Sequence, residues 1–156
     1  MQRLFPNNRF VEPQLPNPAR DLVRLVIAEA PGEQEAVEGQ PLVGGSGRVF
    51  NNLLRSAGIP RDGLTITNCL SCRPPDNLFP SSSEARSYIT KVDGELAIKQ
   101  CIRNHVLPLV KSRNWTRIDL IGNHALHWIG GKFGITKWRG SPITIDTNEI
   151  EQRVRD

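Results

Sequence analysis

The feature that most constrains the fold is the four-residue apolar run Leu25-Val26-Ile27-Ala28, which stops at a charged residue, Glu29. A short, uninterrupted apolar run of this kind is what a strand buried on both faces of a parallel sheet looks like. Pro31-Gly32 follows, then three acids (Glu33, Glu35 and Glu38) and a loop containing Gly39, Gly44, Gly45 and Gly47. A polar residue at the carboxyl end of a buried strand, followed by a glycine-rich loop, is where open α/β sheets form ligand crevices. An ordinary strand-to-helix connection gives the same spacing, so the pattern alone leaves both readings open.

The rest of the chain repeats the alternation. Residues 1–20 hold four prolines and little periodicity, which predicts an irregular arm. The first strand is expected over about Val23 to Ala28. Ser46 is placed to cap a helix running to about Ala57, with Val49, Phe50, Leu53 and Leu54 on one face. Gly58 and Pro60 then form a helix stop. Leu64 to Thr67 reads as a second strand and Cys72 to Asp76 as a stiff, extended loop, because each proline fixes its own φ and restrains its neighbour. Ser81 to Glu84 suggests a helix start, Gly94 a break, and Glu95 to Val110 a second helix. Ile118 to Ile121 is a third strand. A helix carrying Ala125, Leu126, Trp128 and Ile129 follows, then a strand over Ile143 to Ile145. The polar tail, 147–156, is expected to be at most a loose helix. Strand and helix in alternation predict an α/β fold: a three-layer α/β/α sandwich on a short parallel central sheet, with one domain over 21–146.

At 156 residues the chain is long enough to bury a core without staples. Its net charge of +4 suits a nucleic-acid partner without requiring one. Three cysteines, with no apolar leader, argue against a disulfide framework. No apolar run reaches the length of a membrane span, so a cytoplasmic location is expected.

Five segments, AEAPGEQE, QPLVGGSGRVFNNLL, ITNCLSCRPPDN, DLIGNHALHWI and WRG, occur in the order of the motifs of family 4, the iron–sulfur uracil-DNA glycosylases. The chain resembles that family from about Val23 to about Ile145. The resemblance implies a uracil-DNA glycosylase-like sandwich that hydrolyses the N-glycosidic bond of deoxyuridine in DNA during base excision repair, acting as a monomer on uracil-containing DNA. Such an enzyme must hold an unstacked base in a pocket and read its edge. Asn68, just past the second strand, is the candidate reader: its carboxamide offers a donor for uracil O4 and an acceptor for N3–H, the reverse of what cytosine needs. An asparagine in that position also serves as a plain turn former.

Glu29 and Glu35 are the candidate catalytic acids. By the resemblance, Ala30 occupies the place of an aspartate that holds the attacking water in other glycosylases, so Glu29 is expected to position water or stabilise the cationic sugar. Glu35 is expected near uracil C5. Ala30, Pro31, Gly32 and Leu42 are expected to line the base pocket, with Leu42 where the family usually stacks a phenylalanine. Gly44, Ser46 and Gly47, with Arg73 and Arg139, are candidates for DNA phosphates.

Two features depart from the family. No His-Pro-Ser run occurs, and His105, His124 and His127 do not match its place. Cys72 and Cys101 match two ligands of a [4Fe–4S] cluster, but the arm contributes no cysteine, so the expected cofactor has only two matching ligands. These departures keep two alternatives open: a non-catalytic DNA- or uracil-binding remnant of the fold, and an unrelated nucleotide-acting α/β enzyme.

Overall fold

The computed structural model describes residues 9–156; the first eight residues of the expected arm lie outside the described residues. Three strands, β1 (Arg24–Ala28), β2 (Leu64–Asn68) and β3 (Arg117–Leu120), form a sheet in the order β2-β1-β3. Both pairings are parallel, with Val26 opposite Ile66 and Ile27 opposite Leu120. The central strand alternates its side chains between two cores. Leu25 and Ile27 enter one core, with Ile98, Ile102, Val106 and Ile129; Val26 and Ala28 enter the other, with Leu42, Leu54, Leu64 and Ile66. Burial on both faces is the reason β1 reads as a continuous apolar run, and the two cores make the expected three layers.

The smaller core lies beneath α2 (Gly45–Ala57), whose buried face is Gly47, Phe50 and Leu54. Val49 and Leu53, expected to share that face, are 61% and 64% exposed. The rotation follows from Gly47, where a Cβ would lie 2.2 Å from the Leu42 carbonyl oxygen. The helix rests on that glycine, so the i, i+3, i+7 stripe starts there. Ser46 is not the cap either: the N-cap is Gly44, and a short helix, α1 (Glu33–Glu38), precedes it. Gly58 ends α2 in the left-handed conformation, as expected.

On the larger core, α3 (Lys91–Cys101) starts at the side chain of Thr90, which accepts from the Asp93 N–H at 3.1 Å. Gly94 does not break it. A Cβ at Gly94 would sit 2.3 Å from the Pro80 carbonyl oxygen, so this glycine allows a close approach inside the helix. The helix widens to one π turn over Ile102–Val106 and continues as α4 (Leu107–Lys111). Pro108 supplies the reason, since its ring excludes a carbonyl four residues back and it carries no N–H.

After β3 come α5 (Asn123–Trp128) and the single turn α6 (Ile135–Trp138). The strand expected over Ile143 to Ile145 does not form. Pro142 offers no donor, and these residues are anchored by side chains instead: Ile145 packs against the larger core, and the Ile143 Cδ1 lies 2.7 Å from where a Cβ on Gly130 would be. Among the described residues, β3 therefore pairs on one side only. The polar tail is a core element. Asp146 caps α7 (Thr147–Arg153), Ile150 and Val154 are fully buried, and Arg153 donates to the carbonyls of Trp128 and Ile129. The described part of the arm is irregular but pinned to the outer edge of β2, where Gln14 and Ile66 exchange backbone hydrogen bonds. No helix among the described residues is long and apolar enough to cross a membrane.

Candidate active site

The sheet order puts β1 at the switch point: its chain leaves toward one face, and the chain leaving β3 toward the other. Crevices form at such points because neighbouring loops diverge. A cavity of about 400 Å³ lies there, lined by Ala28, Glu29, Gly32, Leu42, Ser46 and Gly122 among others. A second, of about 290 Å³, adjoins it over the same Glu29–Gly32 loop and adds Pro31, Pro74, Phe79 and His124. Glu29, Ala30, Gly32 and Asn77 border both.

Each wall is held by a specific contact. Glu29 Oε2 accepts the His124 backbone N–H at 2.8 Å, tying the tip of β1 to the start of α5. Gly122 makes this possible: its φ is +94°, and a Cβ there would lie 2.5 Å from the Glu29 carboxyl carbon. Glu35 is buried, and its carboxylate accepts the N–H groups of Gly32 (3.1 Å), Gly44 (3.0 Å) and Val43 (3.3 Å). It closes the glycine loop on itself and places a negative charge at the amino end of α2, where the helix dipole favours it. Leu42 has a φ of +50°, uncommon for a residue with a side chain. Arg61 holds it there, donating to the carbonyls of Pro41 and Leu42 at 2.6 Å each and to Asn51 Oδ1 at 2.8 Å.

The sequence candidates divide accordingly. Glu29, Ala30, Gly32, Glu35, Leu42, Gly44 and Ser46 meet at the first cavity, and Pro31 at the second. Asn68 is buried opposite Ala28 in the parallel register, and the two-residue period puts it on the face of Ile66 and Leu64; neither cavity counts it among its lining residues. Gly44 spends its N–H on Glu35, and Gly47 lies under Leu42, which leaves Ser46 as the phosphate candidate facing the cavity. Arg73 donates through Nε to Asn77 Oδ1 at 2.8 Å and so acts on the rim. Arg139 is not brought to this site; it lines a separate cavity beside β3.

Sequence reasoning missed three contributors. Asn77, with φ +59°, borders both cavities; its only signal was its place after two prolines and an aspartate. Arg61 sits in a turn and looks like surface charge. His124, at i, i+3 from His127, read as packing; its ring stacks on Phe79 with centroids 4.0 Å apart, and its Nε2 stands 4.0 Å from Glu29 Oε2. Burial holds the His124 imidazole below the ordinary histidine range, with the Glu29 charge opposing.

The cysteines do not make the expected cluster site. Cys69, Cys72 and Cys101 are buried, and Cys101 Sγ accepts the Ser71 N–H at 3.2 Å. Burial pushes the Cys69 and Cys101 thiols up, so they pack as small protonated groups. A [4Fe–4S] cluster takes four thiolates, whereas this chain has three cysteines in all. Among the described residues no group of three or more His, Cys, Asp or Glu is arranged to hold a metal ion. Cys72 and Cys101 are buried in the core, and the three cysteines of this chain fall short of the four thiolates that such a cluster takes.

Comparison with known proteins bears on the same segment. The chain is 32% identical over 133 residues to the type-4 uracil-DNA glycosylase of Sulfurisphaera tokodaii, covering 81% of this chain and 54% of that protein. It is 34% identical over 121 residues to the type-4 uracil-DNA glycosylase of Thermotoga maritima, covering 76% of this chain and 56% of that protein. The chain thus spans about half the length of these curated relatives. The family model described as the uracil DNA glycosylase superfamily matches residues 17–146, the stretch that contains all three strands and both cavities. This chain belongs to the uracil DNA glycosylase superfamily.

Proposed function

We propose that this chain releases uracil from DNA by hydrolysing the N-glycosidic bond of deoxyuridine. The observation that carries the reading is the paired cavity at the β1 switch point, walled by the Glu29–Gly32 loop within the family-matched segment. The reaction needs an unstacked base held in a dry slot and a negative group near the sugar as its bond breaks with cationic character. In this reading Leu42 and the Ala30-Pro31-Gly32 backbone cover the base, and Glu29 faces the sugar and water. Glu35 is a positioning residue, since its carboxylate is engaged by three backbone N–H groups. Asn68 lines neither cavity but is buried beside the cavity residue Ala28 at the end of β2, and the reading assigns it the base edge from there; Ser46 and Arg73 border the path of the DNA backbone. Uracil-containing DNA is then the partner, and water the only cosubstrate.

The test is abasic-site formation on single- and double-stranded oligonucleotides carrying one uracil. The wild-type chain is expected to cleave, and Asn68→Ala to reduce kcat/KM by about 10²-fold or more, the scale for losing one preorganised polar contact in such a site. Tight binding of uracil-containing DNA without release of the base would replace the enzyme with a binding module. Turnover of free nucleotides with indifference to DNA would favour a different α/β enzyme.

A further inference from the structure

Where other glycosylases carry an aspartate that holds the attacking water this chain has Ala30, so the water needs another holder, and the structure offers one. Glu29 Oε2 and His124 Nε2 face each other across 4.0 Å, too far for a direct hydrogen bond and the right span for one water bonded to both. Both side chains border the same cavity, Glu29 from the loop that walls the proposed base slot and His124 from the start of α5. Both are also fixed. Glu29 is held by the His124 backbone N–H, and the imidazole plane by the Phe79 ring stacked on it at an interplanar angle of 11°. The side chains are 38% and 29% exposed, open enough for water to enter and shielded enough to be oriented.

Resting on the glycosylase reading above, we infer that Glu29 and His124 form a dyad that holds and deprotonates the attacking water. As the C1′–N1 bond breaks, its electron pair stays on the uracil ring. The water oxygen forms the new bond to C1′, and its proton passes to the neutral His124 Nε2, with Glu29 orienting the water and stabilising the imidazolium that results. Solvent returns a proton to the departed uracil anion and takes one from His124. The dyad works with His124 neutral, the form that its partial burial favours. The charged groups around it are Glu29 at the tip of β1, His127 on the same helix, Glu95 and Lys99 from α3 and Arg153 from α7 across the neighbouring cavity. Glu29 is the nearest charge.

The experiment compares the wild-type chain with His124→Gln on single-stranded uracil-containing DNA across pH 5 to 8. It is paired with an NMR titration of the wild-type His124 ring, which needs no variant. The expected result is a loss of about 10²-fold in kcat with KM within about threefold, on the scale of general-base catalysis. The wild-type acid limb should follow the His124 titration and be absent from the variant. A variant that keeps its kcat, or keeps the acid limb, overturns the dyad and leaves the glycosylase reading intact. So does a ring that titrates away from the limb. If the wild-type chain releases no uracil, the glycosylase reading itself falls, and the dyad with it.

Discussion

Two residues show how much of this site is backbone held in place by a side chain. Glu35 looks in the sequence like one of several solvated acids, yet it is buried and closes the loop from Gly32 to Gly44 with three N–H contacts. Replacing the carboxylate by an amide removes the charge and turns an NH2 group toward some of those donors. Glu35→Gln is expected to cost about 1–3 kcal/mol, read as a lower urea midpoint, and to weaken cleavage by loosening the loop. An unchanged midpoint would show that the loop holds without the brace. Arg61 does the matching work on the other side, fixing Leu42 in a backbone conformation that such residues rarely adopt. Neither role has a sequence signature, because both partners are main-chain atoms brought near by the fold.

At the scale of elements, the decisive contact is between α2 and the loop before it. Gly47 is the point where the helix meets the Leu42 carbonyl, and this contact sets which stripe of α2 faces the sheet. A methyl group cannot fit at 2.2 Å from a backbone oxygen, so Gly47→Ala must push helix and loop apart. The expected effect is a destabilisation of about 2 kcal/mol or more and a raised KM for uracil-containing DNA, since Leu42 moves with the loop. Gly45→Ala is the control, because a Cβ there meets only the far end of Arg48 at 3.9 Å. Equal effects of the two changes would assign the cost to helix entry rather than to this contact. The same kind of approach, Gly94 against Pro80, is why a glycine expected to break α3 lies within it. β1 was legible because burial on both faces leaves an apolar run; β2 and β3 were legible from alternating β-branched and apolar residues bounded by turn residues. The strand expected over 143–145 was not, because β propensity cannot tell whether a partner edge accepts the backbone.

For the molecule as a whole, the three histidines share one property. Burial holds His105, His124 and His127 below the ordinary value near 6.5, with Glu12, Glu29 and Glu95 respectively opposing; Arg153 adds to the lowering at His127. As the pH falls below about 6.5 the unfolded chain therefore takes up protons before the folded one does, and stability declines with falling pH. It is complete above that value. The urea midpoint is expected to be lower at pH 5.5 than at pH 7.5, a window above the ordinary carboxylate range. A midpoint that rises on acidification would contradict this assignment.

What the chain settled without its fold is the alternation of strands and helices, the parallel direction of the three strands and the motif set of the superfamily. These are local properties: hydrophobic period, turn residues, and a charged residue where an apolar run ends. The tertiary structure decided which groups meet. It set Glu29 against His124 from 95 residues away, folded the polar tail onto the core through Ile150 and Val154, and left Arg139 outside the site. Those outcomes depend on contacts between segments far apart in the chain, whose distances no run of neighbouring residues encodes.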